Sequence, residues 1–173
     1  MVLRGWTSFG LAVLLLACGG NVPGGDGVES PSAAEHARAQ AARRDALRDR
    51  LARTLGRSYD EPLPRVDSHE RAKGARVYER LCAGCHGRSG RGGTRLARAL
   101  PVEPGDLADP ARAGFFSERA KLSIVAEGSP DTPMTGWQEG LEERTMIAVL
   151  DHMRTLVRLP ARSQAGNEAE EER

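Results

Sequence analysis

A chain of 173 residues holds one domain comfortably and two only if both are small. Its 25 Lys and Arg against 24 Asp and Glu leave a formal net charge of +1, without the basic excess or stripe that nucleic-acid binding demands. Aromatic residues are confined to Trp6, Phe9, Tyr59, Tyr78, Phe115, Phe116 and Trp137, so a compact domain has a thin core that a large apolar group could complete.

The chain opens on Arg4 and its amino terminus, continues as an apolar run from Phe9 to Ala17, and reaches Cys18 followed by glycines. A run this short does not span a bilayer permanently, and residues 1–17 read as a secretory signal. Leu15-Leu16-Ala17 before Cys18 resembles the lipobox of bacterial lipoproteins, although Leu16 stands where that motif has a small residue. The resemblance implies a lipidated Cys18 and a stable anchor of several acyl chains. Cleavage by ordinary signal peptidase, leaving a soluble protein, is the alternative. With Cys18 lipidated, Cys82 and Cys85 remain in an exported, oxidising compartment as a disulfide, as ligands or as covalent attachment points.

Residues 18–34 are rich in Gly, Pro and Ser and form a flexible tether behind the anchor. The Ala/Arg-rich stretch from Ala34 to Leu55 predicts a helix, with Leu47, Leu51 and Leu55 in a narrow apolar stripe crowded by arginines. It reads as a solvated spacer or as a docking helix for a partner or an anionic lipid surface. Gly56 ends it, and YDEPLP continues as an extended connector, so that spacer and connector fill residues 35–66. The body covers residues 67–160, and 161–173 form an acidic, polar, disordered tail.

Within the body the apolar spacing predicts three helices and little strand. One spans about Ser68 to Leu81, a short one about Ser117 to Glu127 between an N-cap serine and Gly128, and the last about Glu142 to Arg158. Residues 87–114 read as one long loop rich in Gly and Pro, wrapped around something functional.

The end of the first body helix reads Cys82-Ala83-Gly84-Cys85-His86. Two cysteines at this spacing meet the two vinyl groups of a haem as thioethers, and the adjoining histidine is carried beneath the iron. His86 then supplies Nε2 to iron while its Nδ1–H needs an acceptor, for which the carbonyls of Pro101 and Pro104 are the candidates. Structural zinc would need a fourth ligand from distant histidines or carboxylates, and a thioredoxin-like pair would need a βαβ pattern that is absent. Further on, EGSPDTPMTGW places Met134 in a stiff loop as the candidate second axial ligand, whereas Met146 and Met153 belong to the apolar stripe of the last helix.

Gly74 and Tyr78 before the Cys82–His86 motif, then Gly87, Gly90 and Gly92, then Gly128, Met134 and Trp137 ahead of a closing helix, resemble a class I cytochrome c. The resemblance implies a small all-α fold in which N- and C-terminal helices cross around one covalent haem c, with Gly74 and Tyr78 meeting Val149 and His152. His152 departs from the aromatic ring usual in the family, which leaves it as a packing residue or a surrogate ligand. Pro133 precedes Met134 where the family often has proline following. Trp137, Arg95 and Arg98 are candidate partners for the haem propionates, with core filler and solvated charge as their other roles.

With His86 and Met134 both on iron, no position is open to substrate, and the implied function is single-electron transfer at a fairly high potential. The expected protein is a non-enzymatic, membrane-anchored mono-haem carrier in a periplasmic or cell-envelope respiratory chain, serving redox partner proteins such as a respiratory complex or a terminal oxidase or reductase. A small-ligand haem sensor or weak peroxidase with a labile Met134, or a permanent subunit of a larger redox complex, are the other readings.

Overall fold

A computed structural model of the protein describes residues 32–158. The signal segment, Cys18, nearly all of the tether and the acidic tail lie outside the described residues. Within them the elements are α1 (Ala33–Leu55), a 3₁₀ turn (Gly56–Asp60), α2 (Ser68–Leu81), α3 (Ala83–His86), α4 (Arg95–Arg98), α5 (Pro110–Ala113), α6 (Glu118–Glu127) and α7 (Glu143–Arg158). No strand occurs among the described residues, where the only isolated bridge joins Gly128 to Thr135. The fold is therefore all-α, as the helical spacing implies.

Local chemistry sets the helix starts. Asp67 and Glu70 form a reciprocal capping box, at 2.8 and 2.9 Å, that opens α2. Ser32 and Glu35 do the same for α1, and Ser117 caps α6 through the amide of Ala120. The predicted 87–114 loop differs from expectation by two single-turn helices, each begun by a side-chain cap, Thr94 on Ala97 and Asp109 on Ala111. The connector differs too. Residues 56–60 wind into a 3₁₀ turn, and Leu63 and Val66 are buried in the main core.

The frame is the crossing of α2 and α7. A Cβ built on Gly74 would lie 2.2 Å from the carbonyl oxygen of Ala148 and 2.8 Å from the amide nitrogen of Val149, so only glycine admits this approach. Beside it, Tyr78 and Val149 are each 1% exposed. The Tyr78 and His152 rings meet edge to face, with centroids 5.2 Å apart. One core cluster joins Leu63, Val66, Leu122, Val125, Met146 and Leu150, and a second joins Val77, Tyr78, Ala83, Val149 and Leu156. Met146 is core filler, as its place in the stripe predicts.

The helix α1 lies on the body along one face. Leu51 is buried, and the guanidinium groups of Arg44 and Arg48 stand 4.7 and 4.5 Å from the Phe115 ring centre. The Ser117 hydroxyl donates to the carbonyl of Tyr59, which ties the 3₁₀ turn to the start of α6.

Ion pairs brace the outside. Arg144 grips Glu70 through two nitrogens, at 2.6 and 2.7 Å. Asp151 accepts from Arg71 and Arg154, and Arg154 continues to Glu118, itself paired with Lys121 at 2.7 Å. Burial opposes ionisation of Asp151 and Glu118, but these cations outweigh it and hold both carboxyls below their ordinary values. Burial also lowers His152, against the pull of Glu79 and Asp151. All three folded-state values are depressed, so each group's contribution is complete above its unfolded value and is lost as pH falls through the folded one. For His152 the loss begins below 6.5, and for Glu118 and Asp151 below 4.5 and 3.8. The expected result is a midpoint of denaturant unfolding that declines in two stages on acidification, the first reduced in His152→Phe and the second reduced in Asp151→Asn.

Candidate functional site

The C-terminal end of α2 builds the site. Cys82 is both the C-cap of α2 and the N-cap of α3, and its carbonyl accepts from the amides of Cys85 and His86 at 3.2 and 2.9 Å. Cys82, Cys85 and His86 therefore share one helical turn, with both thiols free and half-buried. Gly87 ends the turn at φ 72°, where a Cβ would meet the Gly92 carbonyl at 3.0 Å. The buried Tyr78 hydroxyl donates to the Gly87 carbonyl at 2.8 Å, linking the helix crossing directly to the turn.

His86 Nδ1 faces the carbonyl oxygen of Gly105 at 3.3 Å. This corrects the expectation of Pro101 or Pro104 as acceptor. The loop is registered by Leu107, whose amide donates to the Gly90 carbonyl at 2.7 Å, and by the Asp106 carboxylate, which accepts from Ala108 and Asp109. That turn brings the peptide just after Pro104 to the ring. Asp106 was the available sequence signal, being a residue that closes such turns with its own side chain. The contact commits Nδ1 and leaves Nε2 for a metal. Burial lowers the His86 pKa, partly offset by Gly105, which favours the neutral ring a ligand must be. Burial, with Cys85 nearby, pushes the Cys82 thiol up to about 11.

Met134 is held on another element, the loop between α6 and α7. Its carbonyl accepts from Ser129 at 3.0 Å and its amide donates to the Thr132 hydroxyl at 3.2 Å. A Cβ on Gly128 would sit 2.6 Å from the Met134 carbonyl, and one on Gly136 would sit 2.5 Å from that of Ala126. Two glycines thus clamp this loop against the end of α6 with Met134 half-buried. Trp137 packs on the main core, the Arg98 guanidinium donates to Gly93, and Arg95 is exposed on α4. Cys18 lies outside the described residues.

The donor set can be tested against the group it implies. Among the described residues no cluster of three or more His, Cys, Asp or Glu side chains converges to hold a metal ion, so a protein-only zinc site is not assembled. The second core cluster is bordered by half-buried Leu81, Cys82, Leu107, Leu141 and Met153. An apolar wall left open beside two unpaired thiols and an oriented imidazole fits a covalently tied, flat, apolar macrocycle.

The crossed helices and this turn agree with a c-type cytochrome domain, which the family match over this part of the chain supports and which implies covalently bound haem c. Residues 69–153 match the family model described as cytochrome c oxidase, cbb3-type, subunit III. Among solved structures, a chain of the Kuenenia stuttgartiensis reducing HAO-like protein complex is similar, with 24% identity and a TM-score of 0.46. That alignment covers 60% of this chain and 54% of the other, so it spans about half the length of that relative. No curated protein matches the chain.

Proposed function

We propose that this chain is a membrane-anchored, mono-haem electron carrier of the cell envelope, exchanging single electrons with a respiratory complex or a terminal oxidase or reductase. The observation that carries the reading is the Cys82–His86 turn with His86 Nδ1 committed to Gly105, in a c-type domain. Covalent haem supplies one-electron exchange at iron. In this reading Cys82 and Cys85 would tether the group, His86 would lend Nε2, and Met134 would offer its thioether from the clamped loop as a second protein donor, a choice of donor that favours the reduced state. The matched family's description, a subunit of an oxidase, agrees with a respiratory partner. No described helix is long and apolar enough to cross a membrane, and the proposed anchor is lipidated Cys18 after removal of residues 1–17.

Met134→Ala tests the ligand set. The expected product retains covalent haem by pyridine haemochrome after acid–acetone extraction, loses the methionine-to-iron charge-transfer band, and binds carbon monoxide when reduced. A low-spin spectrum unchanged from wild type would remove Met134 from the site. Ready carbon monoxide binding by the native reduced protein would instead favour a sensor or weak peroxidase with a labile methionine.

A further inference from the structure

The helix α1 lies outside residues 69–153, the part of the chain that matches the family model, and contributes no side chain to the attachment turn. It packs on the 3₁₀ turn and on α6, and on no other described element. Its arginines divide between two faces. Arg44 and Arg48 turn inward onto the Phe115 ring, beside buried Leu51. Asp45 and Asp49 are held by Arg48 at 3.8 and 3.9 Å, and Glu35 is committed to the capping box with Ser32, so every acid of the helix has a partner. Arg43, Arg50 and Arg53 are exposed and form no ion pair among the described residues. At about 100° per residue these three fall within about 80° of one another, on a side turned away from Leu51.

A charged helix face is usually only solvated. Here the position of the helix in the chain gives that face an occupant. Ser32, the cap of α1, follows shortly after Cys18, the proposed lipidation site. The intervening chain reaches at most about 50 Å even when fully extended, so α1 is the first described element that an anchored protein brings to the bilayer. Arginines near an anionic surface are each attracted to it, within about a Debye length.

We propose that the face of α1 carrying Arg43, Arg50 and Arg53 rests on anionic lipid headgroups of the bilayer that holds the anchor, and so sets the orientation of the body. The proposal rests on the anchored reading above. The buried Leu51, the two guanidinium contacts with Phe115 and the bond from Ser117 to the Tyr59 carbonyl join this end of the chain to the body, which passes the orientation on. Neither α2 nor α3 nor α4 touches α1, so the helix leaves Cys82, Cys85 and His86 uncovered.

The test places a nitroxide on Ala46→Cys, an exposed position on the same side of α1, in the matured, haem-loaded full chain. Its thiol is the one left free once Cys18 is lipidated and Cys82 and Cys85 carry haem. In phosphatidylglycerol vesicles, accessibility of the label to a neutral aqueous relaxation agent should fall about twofold or more relative to phosphatidylcholine vesicles, and added salt should restore it. Combining Arg43→Glu with Arg50→Glu should abolish the difference, while Arg76→Glu with Arg80→Glu, the same charge change at exposed positions on α2, should preserve it. A label at Ala99→Cys, exposed at the end of α4, should show no dependence on lipid charge. Equal accessibility at Ala46 on both lipids, an equal loss in both double variants, or the same lipid dependence at Ala99 would overturn the oriented contact. So would protection by soluble polyglutamate without protection by phosphatidylglycerol, which would assign the face to an acidic protein. Retention on neutral vesicles reads the anchor separately. Protein that washes off them defeats the anchored reading on which the proposal rests, and protein that stays without lipid dependence at Ala46 defeats the helix contact alone.

Discussion

A chain with both Cys82 and Cys85 replaced by alanine is expected to emerge from export and maturation with no covalent haem and with little folded protein. The two thiols stand three residues apart on one turn, and the cluster beside them is bordered by half-buried Leu81, Leu107 and Met153. With seven aromatic residues in the whole chain, two of them in the predicted signal, side chains alone do not close that wall. Losing the tether removes the apolar area that completes it, and area removed from water is worth about 25 cal/mol per Å². The measurement is haem-stained gel electrophoresis of the matured protein together with its helical circular dichroism. Either single variant should retain some haem through its remaining thioether and through His86, with reduced yield. A double variant of wild-type helicity and thermal stability would show that the fold stands without the group.

Gly74→Val should prevent the α2–α7 crossing from forming. Even the first carbon of a side chain meets backbone, 2.2 Å from the Ala148 oxygen and 2.3 Å from its carbonyl carbon, and no rotamer relieves contact at Cβ. The helices must separate, which unpacks Tyr78 and Val149 and releases the Tyr78 hydroxyl from Gly87, loosening the turn that holds Cys82 to His86. Gly74→Ala is expected to cost about 3 kcal/mol or more, since inserted volume in a tight contact typically costs 1–3 kcal/mol even where side chains can move. Gly140→Ala, where a Cβ meets nothing within 4 Å, is the neutral control. Guanidinium unfolding of the three haem-loaded variants separates them, and equal midpoints for Gly74→Ala and Gly140→Ala would contradict the crossing.

The helices legible in the chain were those with both an apolar spacing and a local start or stop. Asp67 with Glu70, Ser117 and Gly128 bound α2 and α6 close to where periodicity places them. The segment from 87 to 114 lacked such spacing, and its two single-turn helices are held by caps and by contacts with the attachment turn that only the folded chain supplies. The connector is irregular over residues 61–67 as expected, but the 3₁₀ turn at its start and its share in the core were not legible, for a similar reason. Leu63 and Val66 are too few and too close to prolines to announce a core role, and they acquire one because α6 and α7 leave a surface for them.

The sequence by itself determined the spacing of the candidate attachment turn, because Cys82, Cys85 and His86 lie within five residues and one helical turn without help from the rest of the chain. That Gly74 and Tyr78 face Val149 and His152 was implied by the resemblance to class I cytochromes c rather than by spacing, and the helix crossing shows both contacts. Only the tertiary structure decided which carbonyl orients His86. Gly105 lies 19 residues away, and its approach depends on the Leu107–Gly90 hydrogen bond and the Asp106 turn acting at once. Only the tertiary structure, likewise, brought Leu96 against Gly84. Contacts between segments follow from how several weak constraints close together, and no single stretch of sequence contains that sum.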